Sequence, residues 1–196
     1  GQARNLETWA QWANVMTTWG RLDGPGAAAF ALALEPKYQN VQNIPSIIEG
    51  WADVDPAGAR SFAGGIEDNH VRGRAIRGLV IGVAKSDPDT AIEIALAARD
   101  AGESRSDLLI HDVTHEVYRD RGNAALSWAT SLNDDHNFRA NAVAVILSDE
   151  AELYIQVCAE MAAPYIEEPF AGRAIATIAD RWAKEDIDGA LTLMAH

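Results

Sequence analysis

An all-α fold, a solenoid of about six helical hairpins, is what this sequence predicts, on three observations. A large apolar anchor recurs as Trp19, Trp51, Val83, Val117, Val145 and Trp182, at spacings of about 32, 32, 34, 28 and 37 residues, in the range of two-helix repeats. Four residues after each anchor stand Asp23, Asp55, Asp87, Arg121, Asp149 and Asp186. On both sides of these pairs run apolar stripes at helical spacing. The units so defined cover about residues 6–35, 44–66, 69–99, 104–132, 135–162 and 170–195 of a single repeat domain.

The first helix of each unit is marked by apolar residues seven and four positions before its anchor: Trp12 and Val15, Ile44 and Ile47, Ile76 and Leu79, Ile110 and Val113, Ile175 and Ile178. Only the fifth unit breaks the rule, with Phe138 followed by Asn141. These residues are expected to form one buried stripe per helix. The second helix begins at the aspartate, whose carboxylate can accept from backbone amides that the helix leaves unpaired. Proline suits the next position because it has no amide to satisfy, as in Asp55-Pro56 and Asp87-Pro88. The second stripes then read Ala27, Phe30, Ala31 and Leu34; Ala59, Phe62, Ala63 and Ile66; Ala91, Ile94, Ala95 and Ala98; Ala125, Trp128, Ala129 and Leu132; and Ala190, Leu193 and Met194. Alanine on a buried face lets two helices approach closely. In the fifth unit this stripe slips by one, to Tyr154, Val157, Cys158 and Met161. Gly64-Gly65 is expected to end a second helix. The longest interruptions are 35–43 and 163–169, and Pro164 and Pro169 forbid a continuous helix through the latter. Trp9 is left near the N-terminus, outside both stripes.

Composition fits a folded, soluble domain: 196 residues, 48% hydrophobic, and no run near the ~20 apolar residues of a membrane span. A net charge of −13 argues against a general nucleic-acid binder, since phosphate binding needs a basic field. Cys158 is the one cysteine, so the chain has neither an intrachain disulfide nor a cysteine-based zinc cluster. No targeting segment is visible, and compartment stays open. The chain opens on Gly1 rather than Met, as a processed form, an expression remnant or a piece of a longer protein would. Leu191 to Ala195 form a second helix with no polar capping helix after it, which predicts either a continuation or end-to-end self-association.

Trp51-Asp55-Pro56-Ala59, with looser copies at Trp19 and Trp182, resembles bacterial helical repeats carrying W-x3-D-P-x2-A, within the tetratricopeptide-like superfamily. The likeness runs from about residue 6 to 195, without the usual Gly-Tyr pair of the first helix and with a variable period. It implies a right-handed α-α superhelix that works as a non-catalytic protein- or peptide-binding scaffold, without a cofactor.

By the same analogy, positions nine, six and two before each anchor line the concave, ligand-facing side. From the third unit onward these are Arg74, Arg77 and Ile81; Leu108, His111 and His115; His136, Arg139 and Val143; Arg173, Ala176 and Asp180. A ladder of Arg74, Arg77, His111, His115, His136, Arg139 and Arg173 on an acidic protein points to an anionic segment as ligand, because a guanidinium offers two parallel donors to a carboxylate. The plainer alternative is a solvated face whose cations pair with internal Asp and Glu, in an array that serves as a spacer. A third reading is enzymatic. Leu108-Leu109-Ile110-His111-Asp112 is similar to the His-Asp segment of HD-domain phosphohydrolases, with His70 about 41 residues upstream. That likeness implies a divalent metal on His70, His111 and Asp112, with Asp149 or Asp180 as a further ligand. His111 and His115 also form an i, i+4 pair able to hold a divalent ion, with His136, Asp112 or Glu116 as the third ligand.

Overall fold

A computed structural model describes residues 2–34, 43–103, 108–132, 138–151 and 155–194. All regular structure among them is helical: α1 (Gln2–Ala33), α2 (Asn43–Val54), α3 (Pro56–Gly64), α4 (Asn69–Ala84), α5 (Pro88–Asp100), α6 (Leu109–Arg121), α7 (Ala124–Ser131), α8 (Phe138–Ala151), α9 (Ile155–Ala162), α10 (Gly172–Trp182) and α11 (Ile187–Met194), with a 3-10 turn at Ala163–Tyr165. No described helix is long and apolar enough to cross a membrane. The chain divides into two compact units, Gly1–Glu116 and Val117–His196.

One residue makes the turn inside a hairpin. Asp23 breaks α1 with φ −152 and ψ 74, and Asp55 and Asp87 repeat that geometry at φ −142, ψ 78 and φ −141, ψ 82. The Asp55 amide closes the last turn of α2 on the Trp51 carbonyl at 2.7 Å, and its own carbonyl accepts from Ala59 at 3.1 Å to open α3. Asp87 and Asp186 do the same between Val83 and Ala91, and between Trp182 and Ala190. The carboxylates then cap the amides three residues on, those of Gly26, Gly58, Thr90 and Gly189, at 3.0–3.1 Å. Where Arg121 replaces the aspartate the turn is different: Gly122 ends α6 in the left-handed region at φ 53, and Asn123 makes no side-chain cap.

The Thr90 hydroxyl and then the Thr90 amide donate to Asp87 and hold its carboxyl below the usual range. A depressed folded-state pKa contributes stability that is complete above the unfolded value and is lost as pH falls through the folded one. Asp87→Asn is therefore expected to flatten the fall of Tm with acidification below about pH 4. An unchanged slope in circular-dichroism melts would show that Asp87 carries none of it.

In the first unit the leading helices pack side by side on glycine. A Cβ on Gly50 of α2 would overlap the Thr17 carbonyl of α1, and one on Gly20 the Ile47 carbonyl. Gly78 and Gly82 of α4 lie in the same way against the carbonyls of Pro45 and Glu49 in α2. Arg21 to Asp53 at 2.7 Å and Lys85 to Glu49 at 2.5 Å tie the same neighbours. The anchor Trp51 lies over Gly24 of the preceding hairpin, and its ring centroid is 5.4 Å from that of Phe62 in its own second helix. Ile44, Ile47, Leu79, Val83, Ile110 and Val113 are buried as expected.

Three expectations are corrected. Trp12 and Val15 are 46% and 54% exposed, because α1 buries Met16 and Gly20, the next face round, against α2. Phe30 is also exposed, although its ring meets that of Trp19 at 5.3 Å. In the second unit, where α8 packs against α7, α9 and α10, the fifth hairpin's stripe is turned by one position. Ala142, Val143, Ile146 and Leu147 are buried there, so Val143 belongs to the core and not to an open face. Cys158 is buried with Ala159 and Ala162, while Val157 points outward. Residues 35–42, His136 and Tyr154, and the side chains of Trp9, Asp149, Leu193 and Met194, lie outside the described residues.

Candidate functional site

Helix α4 starts at Asp68, whose carboxylate accepts from the amides of His70 and Val71 at 2.8 and 2.9 Å. Those two bonds, Val71 first, hold the Asp68 carboxyl below its usual range. One turn on, Arg72 binds the segment before α4 to the segment after α5. It donates to the Ile66 carbonyl at 2.9 Å, to Asn69, and to Glu103 at 2.7 Å. The ladder arithmetic does not contain Arg72, although its i+4 place after a capping aspartate marks it as a helix-start residue.

Arg74 lies one turn along from His70, its Nη2 2.7 Å from the His70 Nε2. Arg77 reaches Asp112 of α6 with two parallel bonds, Nε to Oδ2 at 2.7 Å and Nη2 to Oδ1 at 2.8 Å. Asp112 is 9% exposed and Arg77 48%. The hydrogen bond to this carboxylate raises the Arg77 pKa further above its already high value. Asp112 faces inward while His111 and His115 face solvent on the same helix, with ring centroids 6.0 Å apart.

Loss of Arg77 leaves a buried carboxylate short of two donors, so Arg77→Ala is expected to cost about 1–3 kcal/mol of stability. Arg77→Lys should recover less than half of that, since an ammonium cannot span both oxygens. Urea titrations of the two variants check this; equal stability of wild type and Arg77→Ala would mean that Asp112 does not depend on the pair.

The remaining ladder residues belong to the second unit. Arg139 donates from Nε to the Leu132 carbonyl at 2.9 Å, and its guanidinium carbon lies 5.1 Å from the centroid of the Phe170 ring. Arg173 is exposed and donates to the Asn141 side chain at 3.1 Å. Phe170, flanked by Pro169 and Ala171, stands outside both expected stripes yet is buried.

The structure thus brings together His70 with Arg74, Arg77 with Asp112, and His111 with His115. Among the described residues no group of three or more His, Cys, Asp or Glu side chains converges as a metal site would need. Both Asp112 oxygens accept from Arg77, and a metal would have to displace that pair.

No protein-family model, curated protein or solved structure matches the chain.

Proposed function

We propose that the chain is a tetratricopeptide-like, right-handed α-α solenoid and acts as a non-catalytic scaffold for a protein or peptide partner carrying an anionic segment. The observation that carries this reading is the repeated joint: the same aspartate turn at Asp23, Asp55 and Asp87, and leading helices that stack on glycine at matching places. Such a joint propagates side by side and presents one edge of each leading helix in series. On the leading helices α4 and α6 stand Arg77, half-exposed beside its carboxylate, and His111 and His115, both exposed. We further propose that the exposed Ile187 and Leu191 of α11 serve in self-association.

Fluorescence anisotropy with a labelled acidic peptide of about a dozen residues, and a basic one as control, tests the scaffold. The acidic peptide should bind, and 0.3 M salt should weaken it. The combined His111→Ala and His115→Ala variant should lose about tenfold or more in affinity. Unchanged affinity in that variant sinks the proposed face. The HD-like reading is separated by elemental analysis and melting with EDTA: no stoichiometric metal and an unchanged Tm are expected, and the opposite result would revive it.

A further inference from the structure

His111 and His115 stand one turn apart on α6, and the three residues between them are fixed from below. Asp112 is 9% exposed and held by two bonds from Arg77, while Val113 and Thr114 are fully buried. The Thr114 hydroxyl donates to the Ile110 carbonyl at 2.8 Å, and Ile110 is buried as well. Both imidazoles lie on the exposed face, with ring centroids 6.0 Å apart and planes inclined by 35°. The backbone that carries them thus has little freedom left to lose when both rings take hold of one ligand.

Two imidazoles at this spacing suit a borderline divalent cation such as zinc. Zinc bonds a ring nitrogen at about 2.0–2.1 Å, so two rings at a tetrahedral angle have their centres roughly 5 Å apart. Closing the 6.0 Å between His111 and His115 to that value takes about 1 Å, which rotation of exposed side chains supplies. A metal uses one nitrogen of each ring, and the other keeps its hydrogen bond, as is usual for metal-bound imidazole. The other candidate ligands are differently engaged. His70 meets the Arg74 guanidinium at its Nε2, both Asp112 oxygens accept from Arg77, and Cys158 is buried. The field of a chain with net charge −13 also concentrates cations at its surface.

We infer that His111 and His115 chelate one zinc ion, whose remaining coordination positions are filled by oxygen ligands from outside the chain. This site is distinct from the HD-like one, which needs His70 and Asp112. Two protein ligands hold zinc too loosely for it to survive purification, so the chain is still expected to purify without metal. The inference goes beyond the scaffold reading and does not rest on it. Loading adds two positive charges to the face, which favours an anionic partner there.

Isothermal titration calorimetry of the 196-residue chain with zinc chloride, without peptide, tests it. One zinc should bind per chain at this site. His111→Ala and His115→Ala should each weaken it by at least about tenfold, because the second imidazole acts at the high effective concentration set by the helix. Both rings are exposed, so these variants should melt like the wild type without metal. His70→Ala should leave the affinity unchanged. Saturating zinc should raise the Tm of the wild type by a few degrees and leave that of the double His111→Ala, His115→Ala variant where it was.

Zinc binding no stronger in the wild type than in the double variant overturns the inference. So does a single variant that keeps the wild-type affinity, which would mean that the two histidines bind separately. A His70→Ala variant as weak as His111→Ala overturns it too, since an HD-like site requires that result. The acidic-peptide titration, run in EDTA, keeps the two readings apart: peptide binding there with no zinc chelation leaves the scaffold standing, and zinc chelation without peptide binding leaves the metal site standing.

Discussion

Gly50→Ala is expected to cost about 3 kcal/mol or more and to loosen the whole first unit, a large penalty for one added methyl group. The reason is what the methyl would meet. A Cβ at Gly50 falls on the carbonyl of Thr17, backbone inside a neighbouring helix, which cannot rotate aside as a side chain could. The two helices must separate, and with them the packing of Ile47 and Ile48, both fully buried. Gly64→Ala is the control, because a Cβ there has nothing within 4 Å. At the last residue of α3 that change should be neutral or stabilising by up to about 1 kcal/mol, through the lower entropy of the unfolded chain. Urea unfolding of both variants gives the comparison, and equal midpoints would mean that α1 and α2 do not meet at Gly50.

The second large effect belongs to Trp51. Its truncation to alanine should cost about 3–5 kcal/mol, since the indole is buried between Gly24 and the helix that carries Gly58 and Phe62. The third hairpin shows a different solution at the same place, with Val83 as anchor and Thr90 where Gly58 stands. There the Thr90 hydroxyl fills the space and binds Asp87 at 2.6 Å. Gly58→Thr alone should therefore destabilise, because a Cβ at Gly58 would press on the Asp55 carboxylate and lie 3.2 Å from the Trp51 ring. Combined with Trp51→Val it should recover about 1 kcal/mol relative to additivity. Strict additivity in this double-mutant cycle would falsify the coupling between anchor and glycine.

Much of this was legible in the sequence. The aspartate turns follow from capping chemistry, and Asp55, Asp87 and their prolines act as their residue types require. The Trp-anchored hairpins carried a further readable signal in Gly26, Gly58 and Gly189, each three residues after the capping aspartate and just before the buried alanine. Other features turn on partners that periodicity does not encode. Spacing alone puts Trp12 and Val15 on the buried stripe, and only the close approach at Gly20 and Gly50 turns α1 to bury Met16 instead. Arg77 is half-exposed, yet nothing local to it says that Asp112, on another helix, will take both its donors. The fifth hairpin keeps its apolar content while its phase shifts by one residue, which moves Val143 from the expected open face into the core.

The contact between Trp51 and Gly24 also constrains how such a chain can be rearranged in descent. At this junction the indole occupies the space left by the glycine five residues past the preceding anchor, and the third hairpin has Pro88 at that place. Moving the third hairpin to stand before a tryptophan-anchored one would set an indole against a proline ring. Hairpins of similar sequence are therefore not interchangeable parts. At this junction the compatibility is written in one pair of residues 27 positions apart, Gly24 and Trp51.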